Sequence, residues 1–276
     1  MKIVDLFCGI GSFHHSAKEL GMECVFACDI DESVRKVYKA NWGIEPAGDI
    51  TTLDFSLIPD HDILCGGFPC QPFSQIGQHR GTDDERGRLV DYIIGILIRH
   101  KPKACVLENV PALLTSENGE TYAMIVRLLE DAGYKVVSKV LKANNYGIPQ
   151  MRKRLFIVAI RIDIQKDFIF PEETLNTPTL SEYMGMPFTK NVAYTIRCGG
   201  AHGTVGERHN WDTYEFSNGT IYRLNAQDCL KLQGFAADSW NWDGVASTKR
   251  SKMVGNTIPT CLSKIVLQTV QQVLSL

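Results

Sequence analysis

Three kinds of side chain in this sequence stand where they could act on a bound molecule: a cysteine, a carboxylate and a pair of arginines. Cys70 follows the apolar run Ile63-Leu64-Cys65, which breaks into Gly66, Gly67 and a Pro69-Cys70 corner. A buried strand that ends in glycines and a proline delivers the next side chain to the carboxyl edge of a sheet, where open α/β folds hold their ligands. A thiol there is a candidate nucleophile. With an ordinary pKa of about 8.5 it is only a few per cent thiolate at neutral pH, so its surroundings must assist. A small buried cysteine at a turn fits the same stretch as well. Glu108 closes another apolar run, Ala104-Cys-Val-Leu, just before Asn109 and Pro111. At a strand's end in the same sheet its carboxylate either enters the same crevice or serves as a turn residue. Arg152 and Arg154 alternate at the entrance of a further strand, which puts both guanidiniums on one face. They can clamp a polar ligand, meet phosphate, or pair with structural carboxylates.

The elements that must position these groups alternate between strand and helix. Lys2 to Phe7 reads as a buried strand, followed by Cys8-Gly9-Ile10-Gly11-Ser12 and a helix that closes at Gly21. A strand-glycine-helix opening brings backbone close to a ligand and aims a helix N-terminus at it, although two glycines match the dinucleotide fingerprint only in part. The second strand, Cys24 to Ile30, ends in Asp29, at the distance suited to ribose hydroxyls; Asp31 reads as the cap of the next helix. After Cys70 the chain turns polar, with glycines at 77, 81 and 87, the composition of an active-site lid. Helices are expected over 89–97, 118–131, 225–233 and 262–274, and strands over 135–142 and 155–160. From about Pro171 the alternation stops, and 193–223 reads as irregular loops on a small sheet.

The totals narrow the class. The 276 residues are 44% hydrophobic and 22% charged, the composition of a globular chain with room for one sizeable domain and a smaller partner. No basic, apolar signal region opens the sequence, and the greasiest stretch, Tyr92 to Ile98, is too short for a bilayer. A soluble, intracellular protein is expected. Nine cysteines at irregular spacing, without a Cys-x-x-Cys pair, read as reduced thiols rather than disulfides or a metal site. The net charge of −2 does not advertise nucleic acid, but two stretches do locally. From Lys139 to Ile162 there are six basic side chains and no acid, and after Asp243 come Lys249, Arg250, Lys252 and Lys264, again without an acid. Such runs can form a phosphate-binding surface, or simply a solvated face.

Taken together the motifs resemble the cytosine-5 DNA methyltransferases, of the compact bacterial restriction-modification type typified by the HhaI enzyme. The resemblance rests on an ordered series: Asp5-Leu-Phe-Cys-Gly-Ile-Gly-Ser-Phe13, Gly67-Phe-Pro-Cys-Gln-Pro-Phe-Ser74, Asp84-Glu-Arg-Gly-Arg-Leu89, Glu108-Asn-Val110, Tyr146-Gly-Ile-Pro-Gln-Met-Arg-Lys-Arg154, Arg223 to Phe235, and Gly255-Asn-Thr-Ile-Pro259. Only 171–222 lacks a family-wide pattern, and there this family keeps its target recognition region. The resemblance implies an α/β fold: a Rossmann-like S-adenosylmethionine-dependent methyltransferase sheet with a small, mainly β or irregular target recognition domain. The catalytic domain would comprise 1–170 and 255–276, and the recognition domain with its hinge 171–254.

The resemblance also implies roles. S-adenosyl-L-methionine, released as S-adenosyl-L-homocysteine, would be bordered by Phe7, Gly9, Gly11 and Pro69. Asp29 would take the ribose hydroxyls, Asp49 and Ile50 the adenine, and Leu89, Asn256 and Thr257 further edges. Ile30 stands where some relatives place tryptophan, so an apolar contact would replace stacking. Cys70 would add to carbon 6 of a flipped cytosine, Glu108 would hydrogen-bond ring nitrogen 3 and the amino group, Arg154 would hold the carbonyl oxygen, and Arg152 would support the nucleophile. The 71–88 loop would close over the base. Gln71, Ser74, Arg86, Arg197, His202, Arg208 and Asn210 are candidates for DNA contact, with His209 and Trp211 serving either DNA or the small module itself. No metal is implied. Double-stranded DNA would be the partner, with a cognate restriction endonuclease as companion, and the protein a monomer in the cytoplasm, associated with the nucleoid. A tRNA cytosine-5 methyltransferase and a non-catalytic DNA-binding relative remain as alternatives.

Overall fold

The computed structural model describes residues 1–69, 89–174, 176–199, 203–207 and 209–275. Strands β1 (Lys2–Leu6), β2 (Glu23–Cys28), β3 (Ile63–Gly66), β4 (Ala104–Asn109), β5 (Tyr134–Lys142) and β6 (Lys153–Arg161) form one sheet in the order β2-β1-β3-β4-β6-β5. The first four are mutually parallel, and β6 runs antiparallel to both β4 and β5. Strands covered on both faces need continuous apolar runs, and β3 and β4 are buried along their whole length. The strand order reverses between β1 and β3. That switch point opens a crevice at the carboxyl ends of the strands, where the glycine-rich loops predicted from sequence emerge.

Helices cover both faces. On one face α1 (Ser12–Glu19) and α8 (Thr260–Leu274) pack Phe13, Ala17, Leu262 and Val266 against Ile63, Val106, Phe156 and Val158. On the other, α3 (Leu89–His100) and α4 (Glu120–Asp131) bring Ile93, Ile96 and Ile125 to Leu64, Leu107, Leu155 and Ile157. Between α1 and α8 lies a buried hydroxyl cluster. Ser263 Oγ is 3.0 Å from Ser12 Oγ and 2.7 Å from Ser16 Oγ, and Ser12 Oγ donates to the Ile258 carbonyl at 2.8 Å. Helix α2 (Glu32–Trp42) is capped by Asp31, whose side chain accepts from Ser33 N–H, and ends at Gly43 in the left-handed conformation.

Residues from 180 onward gather a third core. Leu180, Trp211, Tyr214, Leu230, Phe235, Trp242 and Val254 cluster with Ile10, Val34 and Val37 of the larger sheet's helices and loops. This part holds α5 (Leu180–Met184), the two-stranded sheet of β7 (Thr213–Glu215) and β8 (Ile221–Arg223), α6 (Ala226–Leu232) and α7 (Ser247–Asn256). No helix among the described residues is long and apolar enough to cross a membrane.

Several boundaries differ from the sequence expectation. The helix expected from Asn118 starts at Glu120, because Glu117 and Asn118 adopt φ of 49° and 55°, outside the helical region. Strand β6 begins at Lys153, so Arg154 lies inside it. Helices α5 and α7 were not expected. The first carries a capping box at Thr179 and Glu182, a readable start signal. The second has no side-chain cap and no acid in its first turn, and it crosses the expected boundary at 255.

Candidate active site

Strand register brings the carboxylate and one arginine together. Glu108 on β4 is paired with Phe156 on β6, and Arg154 stands two residues before Phe156 on the same face. Arg154 Nε therefore reaches Glu108 Oε1 at 2.6 Å, with both side chains largely buried. Burial pushes the Glu108 carboxyl up from the ordinary glutamate range, against the opposing pull of the Arg154 and Arg152 charges. Burial also lowers Arg154, while the Glu108 charge raises it. Gly67 passes so close that a Cβ on it would stand 3.2 Å from Glu108 Oε2. Asn109, next to Glu108, donates from Nδ2 to the Phe68 carbonyl at 3.0 Å and so anchors the segment that leads to position 70.

Arg152 behaves differently from its neighbour. It is 1% exposed, and its guanidinium donates to the Ile196 carbonyl at 2.6 Å and the Gly255 carbonyl at 2.8 Å. Burial, and then the Arg154 charge, push its pKa down to about 9. Gln150 and Gln233 complete this buried seam: Gln150 Nε2 donates to Leu232 O, and Gln233 Nε2 to Val254 O, both at 2.8 Å. Arg152 thus binds together three chain segments, and its tie to the segment at 196 was not visible in the sequence. Cys70, Gln71, Ser74, Arg86, His202 and Arg208 lie outside the described residues.

A cavity of about 570 Å³ lies at the switch point. Phe7, Gly9, Asp29, Ile30, Pro69, Glu108, Arg154 and Asn256 border it, with Ile10, Asp31, Gly67, Phe68 and Asn109 between them and Lys249, Lys252 and Met253 of α7 along one side. Asp29 Oδ2 accepts from Gly9 N–H and Oδ1 from Asp31 N–H, each at 2.9 Å. A carboxylate has about four acceptor sites, so capacity remains for a diol. Burial raises the Asp29 pKa, and the two backbone N–H groups oppose it. Ile30 is 72% exposed beside it, an apolar surface open to a ring. The donor set and the volume suit a nucleoside-bearing ligand such as S-adenosylmethionine.

Other expected cofactor residues are not among those that border this cavity. Gly11, with φ of 93°, begins α1 and packs on Trp42, leaving no space for a side chain. The Asp49 side chain accepts from Thr51 N–H at 2.9 Å, and Ile50 is buried in the core beside α3. Leu89 opens α3 against that same core, and Thr257 is buried with Oγ1 donating to Met253 O. Of the DNA candidates described, Arg197 is exposed, Asn210 is buried and donates from Nδ2 to Gly203 O at 3.2 Å, and Trp211 donates from Nε1 to Gly199 O at 3.0 Å. Lys249 and Lys252, from the acid-free run after Asp243, line the cavity. No three His, Cys, Asp or Glu side chains among the described residues are placed to hold a metal ion.

Comparison with known proteins agrees with this geometry. Residues 1–213 match the family model of the C-5 cytosine-specific DNA methylases. The chain is 43% identical to the type II methyltransferase M.HaeII of Haemophilus aegyptius, over 93% of this chain and 88% of that one. It is 40% identical to M.HhaI of Haemophilus parahaemolyticus over 64% of this chain and 55% of the relative. Among solved structures, the S. pombe Dnmt2 methyltransferase superposes with a TM-score of 0.79 at 16% identity, covering 100% of both chains, which speaks for the shared fold. The cavity at the switch point, the Glu108–Arg154 pair beside it and the family match over most of the chain lead to one assignment: the protein belongs to the C-5 cytosine-specific DNA methylases.

Proposed function

We propose that the protein is a sequence-specific DNA (cytosine-5)-methyltransferase that serves as the modification component of a restriction-modification system, beside a cognate endonuclease. The observation that carries the reading is a cavity that has a diol-ready carboxylate, Asp29, at one part of its wall and the buried Glu108–Arg154 pair at another. The type II methyltransferases among its relatives support the biological setting.

Phe7, Gly9, Asp29, Ile30 and Asn256 would hold S-adenosylmethionine, which supplies a methyl group on a sulfonium centre. The remaining chemistry belongs to the chain. Carbon 5 of cytosine is a weak nucleophile within an aromatic ring, and the target lies inside a stacked duplex, so the base is flipped out at a cost of a few kcal/mol. Addition of the Cys70 thiolate to carbon 6 breaks the aromaticity and makes carbon 5 enamine-like. Glu108, whose carboxyl burial favours in its neutral form, donates toward ring nitrogen 3 and accepts from the amino group. Arg154, which reaches Glu108 Oε1 at 2.6 Å, would hold the base's carbonyl oxygen. Loss of the carbon 5 proton to water and expulsion of the thiolate restore the ring. Arg152 acts at one remove, holding the segments at 196 and 255 around the site. The 171–254 region would read the sequence, and the 71–88 loop would close over the flipped base.

Bisulfite sequencing of plasmid DNA treated with the protein and S-adenosylmethionine tests this. Protected cytosines in one short context, lost in Cys70→Ala, are expected. Full conversion throughout the plasmid alongside methylation of tRNA would refute a DNA substrate, and transfer by Cys70→Ala at the wild-type rate would refute the covalent route.

A further inference from the structure

The last rung of the β5–β6 ladder pairs Lys142 with Lys153, and both residues are exposed. Directly opposed residues of antiparallel strands share a face with Cβ atoms about 4.5–5.5 Å apart, and like charges so placed repel. Among the described residues neither lysine belongs to an ion pair, and Glu108, the carboxylate of the neighbouring strand, is committed to Arg154. The rung cannot splay freely, because Ala143 N–H donates to Arg152 O at 2.9 Å immediately beyond it. Two cations held side by side without a counter-charge make a receptor for an oxyanion.

Position indicates where that oxyanion comes from. Lys153 is three residues before Phe156, the partner of Glu108, so the rung lies on the order of 10 Å beyond the carboxylate along the strand. Alternation places Lys153 on the face of Leu155 and Ile157, away from Arg154, so it is not part of the Glu108 pair. A base drawn into the cavity leaves its own backbone and the flanking phosphates at the mouth. No acidic side chain occurs from Lys139 to Ile162 to repel them.

We propose that Lys142 and Lys153 form a phosphate clamp for the backbone of the duplex beside the flipped nucleotide. The clamp sets DNA affinity and register without touching the reacting atoms. It rests on the DNA reading given above. The test compares wild type with Lys142→Gln, Lys153→Gln and the double variant, using a plasmid fragment and measuring binding by anisotropy across a salt series. Each neutralised lysine should make the slope of log affinity against log salt shallower by about 0.9. The KM for DNA should rise, while cofactor affinity and the single-turnover rate at saturating DNA stay at wild-type values. Because a repulsion is removed, the free protein should melt at the same or a higher temperature. A double variant with an unchanged slope, on DNA that the wild type methylates, overturns the clamp, all the more if its melting temperature falls, since the lysines would then be structural. Failure of the wild type to methylate any duplex, or a slope change confined to tRNA, overturns the DNA reading and the clamp with it.

Discussion

Gly67→Ala separates the position of Glu108 from the stability of the fold. The added Cβ would stand 3.2 Å from Glu108 Oε2 and 3.6 Å from Ile258 Cδ1, so the carboxylate must retreat by a few tenths of an ångström. It has little room: Oε1 is 2.6 Å from Arg154 Nε, and Arg154 is itself fixed by a 2.8 Å bond to the Lys153 carbonyl. Gly67 is not among the glycines with positive φ, so alanine fits the backbone. It stabilises by about 0.4–1 kcal/mol through the unfolded chain, while mild overpacking costs about 1 kcal/mol. These offset, and the melting temperature should move by no more than about 2–4 °C. Catalysis has no such offset. A misplacement of about 1 Å costs on the order of 100-fold, so a few tenths should slow methyl transfer roughly tenfold, about 1.4 kcal/mol at the barrier. The assay is single-turnover transfer from labelled S-adenosylmethionine at saturating DNA and cofactor, with thermal melting alongside. A rate within about twofold of wild type would refute the reasoning, as would a melting loss near 10 °C.

Two further outcomes concern stability. In Gly255→Ala the Cβ would lie 2.5 Å from backbone atoms of Arg197 and Cys198, which cannot swing aside while Arg152 holds Ile196 O and Gly255 O. A loss of about 3 kcal/mol is expected, seen as a fall of roughly 6–12 °C in melting temperature, and an unchanged melting curve would contradict it. His14, buried with Nδ1 2.8 Å from the Tyr38 hydroxyl, has its pKa lowered to about 4 by burial and then by the Lys18 and His15 charges. Between that value and about 6.5 the unfolded chain holds a proton that the folded one lacks, so stability is complete above pH ~6.5 and is lost on acidification toward 4. Asp5, Asp29 and Glu108, all raised by burial, act in the opposite sense, so the contribution appears as a difference. From pH 7 to 5, wild type should lose about 2 kcal/mol more than His14→Gln in urea unfolding; parallel profiles would count against the assignment.

The parts of this fold that follow local periodicity were legible in the residues. The apolar runs at 3–6, 63–66 and 104–109 became central strands because both faces needed covering, and Asp31 caps the helix that follows it. Asp29 and Glu108 could be placed at strand ends for the same reason. What sequence could not show was long-range. The tie from Arg152 to Ile196 and Gly255 crosses 44 and 103 positions of chain. Asp49, which the family resemblance sends to the cofactor, also makes a local cap to Thr51 N–H, and Ile50 joins the core beside α3. Helix α7 lacks both a cap and a first-turn acid, so nothing in its first residues announces it.

The serine cluster between α1 and α8 sets a schedule for the growing chain. Ser16 and Ser263 are 247 positions apart. At about 5–20 residues per second, α8 follows α1 out of the ribosome by roughly 12–50 s. Until then Phe13 and Ala17 and the apolar side chains beneath them lack the cover that Leu262 and Val266 supply. The six-stranded sheet is therefore covered on that face only after the whole 180–254 region has been synthesised, and a chain halted before Ser263 would leave one side of its sheet open to aggregation.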